Sequence, residues 1–320
     1  MTQNYRVTIG LPVRNGGALL SEALDSLLGQ TYEDFELLIS DNASTDGTAD
    51  LCGRYAKQDP RIRYIRQPAN IGLIGNTNFV MRSGTGEFFK LAAHDDLYGR
   101  DLLKRCVEAL DAHPESVAAH CWEARIDAQG TVIEAMSYPV TVDQPRAPDR
   151  FRSMLFDGWD DYTYAVTRTK ALWAMHPHGS YHLADRTFSV ELSLHGPFYQ
   201  VPEWLYFRRE HEYHGNLPTI RARCARLDSR RANRFRHPLV RLYGEYAWSY
   251  IAAIRQAPLS AAEKRECYGI FARWLTGRMG PVAARTARGE TMAVSDDMAL
   301  LEEVPDIQLD SLVAGRGGIN

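Results

Sequence analysis

Short apolar runs alternate with segments of helical periodicity through the first 110 residues. The runs Val7–Val13, Phe35–Ile39, Ile62–Ile65 and Glu87–Ala93 are typical of buried strands. Between and after them, apolar residues recur at the spacing of a helix in four segments, Ala18–Leu28, Thr48–Lys57, Gly75–Met81 and Leu102–Leu110. Short connections between alternating strands and helices predict an α/β fold, in which a mostly parallel central sheet is flanked by helices.

Each predicted strand is followed by a polar cluster. The clusters are Pro12–Asn15, Asp41–Asp46, Asn70–Gly72 and His94–Asp96. In open parallel sheets ligands bind outside the carboxyl ends of the strands, so these clusters are expected to face one crevice. The chain has no GxGxxG after the first strand and no GxxxxGK[ST], so neither a dinucleotide fold nor a P-loop is indicated.

Asp95 and Asp96 stand side by side at the end of a strand predicted to be buried. Two such carboxylates repel each other and lose hydration. A Mg²⁺ or Mn²⁺ ion that also binds phosphate oxygens would offset this cost. The alternative is that one aspartate caps the helix starting near Asp101 and the other is a solvated loop charge.

Composition narrows the class of protein. The 320 residues are 45% hydrophobic and 24% charged, as expected for a globular protein, and the net charge of −3 gives no reason to expect nucleic acid as a partner. Five widely spaced cysteines without a CxxC pair favour reduced thiols. No signal-like segment precedes the first strand and no run could span a bilayer, so we expect a cytoplasmic location, with peripheral membrane contact left open.

The second half of the chain is less regular. We predict a strand at Val117–Ile126, a strand and the start of a helix within Tyr164–Trp173, and a strand at Phe198–Val201. The proline-rich and charged stretch Tyr138–Arg152 is predicted to be a loop, and the tail from Thr286 carries little pattern.

Two C-terminal helices are predicted at Leu239–Ile254 and Ala261–Met279. They would extend the core, cover a substrate cleft or form a homodimer interface. Eight arginines between Arg221 and Arg241 favour either docking to an acidic carrier or lipid phosphate, or a solvated helix face.

The segments VTIGLPVRN, LLISDNASTDGT, NIGLIGNTN and LAAHDD resemble the nucleotide-sugar-binding half of the inverting family-2 glycosyltransferases, which have the GT-A fold. The resemblance covers residues 5–125 strongly and 178–212 more weakly. SDNASTDGT matches the family's D-D-x-S-x-D-x-T signature, with Asn42 in place of the second aspartate. It implies a GT-A catalytic domain over residues 1–215, divided into a nucleotide-sugar-binding half (1–125) and an acceptor half (126–215), followed by a helical extension over 216–320.

The resemblance also implies the substrates. The donor would be a sugar linked to UDP, GDP or dTDP, and the acceptor a hydroxyl of a glycan, a lipid-linked intermediate or a small molecule. Residues matched to donor binding are Pro12, Arg14, Asn15, Asp41, Asn70, Gly72, Asn78 and Asp95. Asp41 would accept a hydrogen bond from the base, because a carboxylate is an acceptor only. The alternatives are that Asp41 caps its loop and that Asn78 lies on a helix surface.

Asp96 is matched to the metal site, with Mg²⁺ or Mn²⁺ as the implied cofactor and His211 as a further candidate ligand. His94-Asp95-Asp96 corresponds to the family's D-x-D motif, and His94 stands where the motif has its first aspartate. It is either a ligand better suited to Mn²⁺ than to Mg²⁺ or a structural histidine. Arg209 is a candidate for assisting the leaving group.

Asp185 is matched to the catalytic base, which removes the proton of the attacking hydroxyl. The alternative is an ordinary helix N-cap. Glu191 is the fallback, although its position two turns into the helix predicts a surface charge. Two other functions stay open at this stage, a non-catalytic nucleotide-sugar-binding protein and a sugar nucleotidyltransferase.

Overall fold

Nine strands form one mixed sheet in a computed structural model that describes residues 5–136, 142–157, 162–210, 219–286, 307 and 309–313. The strand order is β3-β2-β1-β4-β8-β6-β9-β5, and β7 pairs with β6. The strands are β1 Val7–Val13, β2 Phe35–Asp41, β3 Ile62–Arg66, β4 Phe88–Leu91, β5 Leu97–Tyr98, β6 Ala118–Ile126, β7 Val132–Met136, β8 Val166–Arg168 and β9 Phe198–Arg209.

The first four predicted strands are confirmed, and they are mutually parallel. Val13 at the end of β1 lies opposite Asp41 at the end of β2, and Asp41 lies opposite Arg66 at the end of β3. On the other side of β1, Gly10 pairs with Leu91 of β4. The loops that follow these strands therefore leave one edge of the sheet together, as predicted.

Strand β9 is longer than the predicted Phe198–Val201, because it continues past Pro202 to Arg209. Its pairing with β6 jumps from Cys121↔Val201 to Trp122↔Trp204, so Pro202 lies in a bulge, where the missing N–H costs no ladder hydrogen bond. Beyond the bulge β9 pairs with the two-residue strand β5. This extension brings Arg209 beside the His94–Asp96 loop.

Helices cover both faces of the sheet. The helices are α1 Leu19–Leu28, α2 Thr48–Gln58, α3 Leu73–Ser83, α4 Leu102–Ala112, α5 Ala147–Phe156, α6 Thr169–Ala174, α7 Ala184–Ser193, α8 Ile220–Leu227, α9 Leu239–Gln256, α10 Ala261–Thr286 and α11 Leu309–Leu312. Helices α1, α2 and α4 enclose one core layer with one face of the strands, and α3, α5–α7, α9 and α10 enclose the other. Neighbouring strand residues serve opposite layers, as Leu37 and Leu38 do.

The predicted loop at Tyr138–Arg152 is wrong in its second part, where α5 begins at Ala147. Pro148 lies in the first turn of this helix, where its missing N–H would have had no partner in any case. Phe151, Met154 and Leu155 of α5 are buried against α7 and α10. Residues 137–141 lie outside the described part of the chain.

The C-terminal helices α9 and α10 are confirmed, and they extend the core: Tyr250 and Phe271 belong to the same buried cluster as Phe151 and Val190. Short helix α11 packs on β5, β6 and β9. The boundary at residue 215 stays a prediction. Within the described residues, no helix combines the length and apolar character needed to cross a bilayer.

Candidate functional site

A cavity of about 300 Å³ opens at the carboxyl ends of β1 and β2, and we call it the strand-end cavity. Four of the residues predicted to bind the donor line it: Pro12, Arg14, Asn70 and Gly72. It is completed by Asn42, Asn76, His94 and residues of α8 and the turn after it, among them Arg226 and Leu227. The loops therefore converge as the sequence predicts, and α8 adds a wall that the sequence did not reveal.

Asn42 clamps two of these loops together. Its Nδ2 donates to Asn70 Oδ1 at 3.0 Å and to the Gly72 carbonyl at 3.1 Å, and its Oδ1 accepts from Ile71 N at 2.8 Å. The side chain acts as donor and acceptor at once, which a carboxylate cannot do. This explains the asparagine at the position where the family signature has its second aspartate.

Asn15 joins the first loop to the second. Its backbone N–H donates to Ser44 Oγ at 2.9 Å, and its Oδ1 accepts from Thr45 N at 2.9 Å. Asn15 (φ 52°) and Ala43 (φ 54°) both adopt the left-handed conformation, which is strained for residues with a Cβ. Strain held in both loops indicates that their shape is fixed by the surrounding contacts.

Asp41 lies beneath this loop and is fully buried. Oδ1 accepts from Ser44 N at 2.9 Å, and Oδ2 accepts from Tyr64 Oη at 2.9 Å. The Arg66 guanidinium lies 3.7 Å from the same Oδ2. These contacts support the loop-organising alternative, and contact of Asp41 with a base stays a prediction.

Helix α3 separates two sets of side chains. Gly72 has φ 82°, a conformation that favours glycine, and it leads into the helix at the wall of the strand-end cavity. Asn76, one helical turn on, lines the same cavity, and its amide bonds Ser40. Asn78 points elsewhere: it pairs with the backbone of His178 through hydrogen bonds of 2.9 and 2.7 Å.

Asn78 therefore lines the interhelical cavity described below and Asn76 the strand-end cavity, and contact of Asn78 with a donor stays a prediction. The helical period could have identified this, because Gly72 and Asn76 are four residues apart whereas Asn78 shares a face with Ile74 and Gly75. The position of Arg226, by contrast, could not be predicted from the sequence pattern, because α8 reaches the cavity only through the tertiary fold.

Asp96 is buried, with 4% of its surface exposed, and its two oxygens are engaged. Tyr206 Oη donates to Oδ2, and Arg209 N donates to Oδ1 at 2.9 Å. Burial, and then the neighbouring charge of Asp95, raise the pKa of Asp96, whereas the two hydrogen bonds oppose that rise. The first role of Asp96 is therefore to hold its loop on β9, and metal binding by Asp96 stays a prediction.

Arg209 fixes the same loop from its side chain. Its Nε donates to the Asp95 carbonyl at 2.9 Å, and its terminal nitrogens donate to the Asp127 and Ala128 carbonyls and to Glu22. The guanidinium is fully buried. The expectation that Arg209 assists the leaving group is wrong, because the group has no access to the crevice and every nitrogen is occupied.

Asp95 is the more accessible of the paired aspartates, with 18% of its side chain exposed, and His94 Nδ1 lies 3.9 Å from Asp95 Oδ1. No group of three histidine, cysteine, aspartate or glutamate side chains is placed to hold a metal within the described residues. His211 lies outside that part of the chain. Mg²⁺ requires only one or two protein carboxylates when substrate phosphates supply other ligands, so Asp95 fits such an ion.

Lys90 lies under this loop and is 2% exposed. Its Nζ donates to the Tyr164 carbonyl at 2.5 Å and lies between 5.1 and 5.8 Å from the ring centres of Tyr98, Tyr164 and Tyr206. Burial lowers the pKa of Lys90 to about 8. The buried ammonium rests on aromatic faces, a contact that partly replaces lost hydration.

A second cavity of about 540 Å³ lies between α3, α7 and α9, and we call it the interhelical cavity. It is lined by Asn78, Tyr181, Glu191 and Trp248, among others. The two cavities meet at Gly72 and Leu227, which line both.

Asp185 lies in the first turn of α7, as predicted, and is half-buried. One of its oxygens accepts from Arg186 N at 2.8 Å. Leu183, just before the helix, has φ 55° and is a third residue with a Cβ in the left-handed region. Asp185 is not among the residues that line either cavity, although its neighbour Ala184 lines the interhelical cavity.

Glu191 is not the surface charge that its helix position suggested. It is 6% exposed, and it accepts from His176 N at 3.0 Å and contacts His176 Nδ1 at 2.7 Å. Burial raises the pKa of Glu191, and the contacts with His176 oppose that rise. The pair forms part of the wall of the interhelical cavity.

The family model for glycosyl transferase family 2 matches residues 8–187, more than half of the chain. The protein belongs to glycosyl transferase family 2. The match contains the loops of the strand-end cavity and ends two residues after Asp185, so α8 and its contribution to the cavity lie beyond it.

Named relatives of this family-2 member include the glycosyltransferase GlyA of Streptococcus pneumoniae, 26% identical over 130 residues (41% of this chain and 18% of the relative). The putative glycosyltransferase EpsE of Bacillus subtilis is 31% identical over 114 residues, or 35% of this chain and 41% of the relative. The chain thus spans well under half the length of these curated relatives.

Solved structures establish the GT-A fold of this family-2 member. Staphylococcus aureus TarS 1–349 in complex with UDP-GlcNAc has a TM-score of 0.60 at 17% identity, covering 84% of this chain and 71% of that one. The mannosyltransferase PcManGT from Pyrobaculum calidifontis, in complex with GDP-Man and Mn²⁺, has a TM-score of 0.50 at 20% identity, covering 90% and 80%. The predicted fold class is confirmed.

Proposed function

We propose that the protein transfers a sugar from a nucleoside-diphosphate sugar to an acceptor hydroxyl with inversion. The observation that carries the proposal is the convergence of Pro12, Arg14, Asn70 and Gly72 from separate loops on one cavity, beside the His94–Asp96 loop. These loops belong to the part of the chain that matches the family. The interhelical cavity, which adjoins the first, would take the acceptor.

The strand-end cavity suits an anionic donor. Arg14 and Arg226 both line it, and arginine binds phosphate oxygens through paired N–H donors. TarS is solved with UDP-GlcNAc and PcManGT with GDP-Man, so uridine and guanosine nucleotides join dTDP as the donors to be tested.

Asp95 would hold a divalent cation, Mg²⁺ or Mn²⁺, against the diphosphate, and this ion would neutralise the charge that develops on the leaving group. We prefer Asp95 to Asp96 because its carboxylate is the more exposed of the two, whereas both oxygens of Asp96 accept hydrogen bonds from β9. Tyr206 and Arg209 would then act as positioning residues for Asp95. His211 stays a candidate ligand.

Asp185 would accept the proton of the attacking hydroxyl. Its place in the first turn of α7, next to the wall of the interhelical cavity, supports this role. A direct attack of the acceptor oxygen on the anomeric carbon breaks the bond to the diphosphate in the same step and inverts the configuration. All five cysteines are free thiols, which supports the expected cytoplasmic location.

The test pairs binding with turnover. Calorimetry with UDP, GDP and dTDP, with and without Mn²⁺, identifies the nucleotide, and a donor-hydrolysis assay with the matching sugar nucleotide follows. We expect Asp185→Asn to bind the nucleotide normally and to lose turnover by at least about 100-fold. Asp149→Asn changes a first-turn aspartate of another helix, α5, and is the matched control.

Undiminished turnover by Asp185→Asn would remove Asp185 from the base role and direct attention to Glu191. Nucleotide binding by the wild-type protein without hydrolysis or transfer would favour the non-catalytic binder. Formation of a sugar nucleotide from a sugar phosphate and a nucleoside triphosphate would favour the nucleotidyltransferase instead.

A further inference from the structure

Large apolar side chains are exposed together at the start of α9. Phe235 is 83% exposed and Val240 79%, and Leu239, Tyr243 and Trp248 are each about half exposed. These residues are half of the ten large apolar side chains that are exposed in the described part of the chain, and they lie within fourteen positions. Single exposed apolar residues are ordinary, but a cluster of this kind marks a contact surface.

The same segment carries a strong positive charge. Residues 219–248 contain eight arginines against Asp228 and Glu245, which gives a net charge of +6 in a chain whose total is −3. Arg234 and Arg236, on either side of Phe235, are exposed and make no ion pair within the described residues. The Arg234 guanidinium lies 5.0 Å from the centre of the Phe235 ring.

An ordered turn presents these side chains. Asn233 Oδ1 accepts from the N–H groups of Phe235 and Arg236, both at 3.1 Å, and the Asn233 carbonyl accepts from His237 N at 2.9 Å. Arg241 donates to the Arg236 carbonyl at 2.8 Å. The exposure of Phe235 is therefore built into a hydrogen-bonded turn.

We propose that residues 233–248, with the arginines around them, form a docking surface for an anionic lipid bilayer. Arginines would lie among the lipid phosphates while Phe235 and Val240 enter the headgroup region, and Tyr243 and Trp248 have the amphipathic rings that favour this depth. This proposal does not depend on the proposed transfer reaction.

Two other partners fit the observations less well. A nucleic acid would use the arginines but would leave the exposed aliphatic side chains without a partner. A second copy of the chain, docked by a twofold axis through this surface, would bring two surfaces of charge +6 face to face. Of these three partners, an anionic bilayer is the one that satisfies the charge and the apolar side chains together.

The surface adjoins the interhelical cavity. Trp248 belongs to both, and Arg230, whose side chain is 85% exposed, also lines that cavity. A bilayer docked here would lie beside the cavity. This last step alone rests on the proposed function, under which a lipid-linked acceptor would enter the cavity from the membrane.

Sedimentation of the full chain with vesicles tests the proposal. We expect binding to vesicles of phosphatidylcholine with phosphatidylglycerol, weak binding to phosphatidylcholine alone, and weakening of the binding by salt. Arg234→Gln/Arg236→Gln should weaken binding to the anionic vesicles by at least about tenfold. Phe235→Ser/Val240→Ser should weaken it by a similar factor, and circular dichroism would verify that both variants are folded.

Matched double variants elsewhere on the surface serve as controls. Ile133→Ser/Phe156→Ser removes two apolar side chains that are each 48% exposed, and Arg54→Gln/Lys57→Gln removes two exposed charges of α2. Both should bind anionic vesicles like the wild type. Equal binding to both kinds of vesicle, or equal losses in the controls, would overturn the proposal, as would binding of duplex DNA or concentration-dependent dimerisation without vesicle binding.

Discussion

Restoring the family's usual aspartate at position 42 should destabilise the fold of this protein. Asn42 is 2% exposed and holds the Asn70–Gly72 loop through two donated hydrogen bonds and one accepted one. In Asn42→Asp the accepted bond from Ile71 N survives. The two donated bonds are lost, and a negative charge is placed against the Asn70 Oδ1 and Gly72 carbonyl oxygens.

The magnitude follows from these contacts. Two lost hydrogen bonds cost about 0.5–1.5 kcal/mol each. Gly72 N and Asn76 N still donate to the Asn70 Oδ1 and Gly72 carbonyl oxygens, so the remaining cost comes from repulsion between these oxygens and the new carboxylate. We expect the free energy of unfolding to fall by about 2–4 kcal/mol and Tm to fall by several degrees. Because the new carboxylate would have a raised pKa in the folded state, the loss should be complete at neutral pH and shrink as pH falls toward about 4.

Urea unfolding followed by circular dichroism at several pH values measures both effects. Asn15→Asp is the matched control, since the Asn15 side chain acts as an acceptor, from Thr45 N, and a carboxylate can do the same. Equal stability of Asn42→Asp and the wild type at neutral pH would refute the account of the clamp, as would an equal loss in Asn15→Asp.

Three further predictions concern the same region. Arg209→Lys should lower the free energy of unfolding by about 3 kcal/mol or more, because one ammonium cannot serve acceptors on four residues. The control Arg208→Lys, at a side chain that is 43% exposed, should change it little. Urea titrations compare the two variants. The pKa of Lys90 is lowered to about 8 in the folded state, so the unfolded chain binds that proton more tightly. The free energy of unfolding should therefore rise from about pH 8 to about pH 10. Lys90→Met should flatten this rise in the same urea titrations. Asn76→Ala should weaken nucleotide binding several-fold by calorimetry, and Asn78→Ala should not, since only Asn76 lines the strand-end cavity.

The first half of the fold follows from the sequence because its signals are local. Continuous apolar runs mark strands that are buried on both faces, and the polar residues after them must then meet at one sheet edge. The part of β9 beyond Val201 and helix α5 were not predicted, and each contains a proline, Pro202 and Pro148. A bulge tolerates the first proline and the first turn of a helix tolerates the second.

The orientation of individual site residues depends on contacts that are distant in the chain. Nothing in the adjacent pair Asp95–Asp96 shows which carboxylate faces inward; Tyr206 and Arg209, more than 100 residues away, decide it. Likewise Arg226 reaches the strand-end cavity only because α8 packs back over the loops at the strand ends. Sequence pattern located the crevice, and long-range packing assigned the side chains within it.

Helix α3 separates the strand-end cavity from the interhelical cavity. Gly72, just before the helix, and Leu227 border both cavities, so a mutation at either position that widens one cavity is expected to change the other. Under the proposed function, substitutions at these two positions that are selected for a new donor should therefore alter acceptor choice as well. Mutant libraries confined to Pro12 and Arg14 would avoid this coupling, because these residues line only the strand-end cavity.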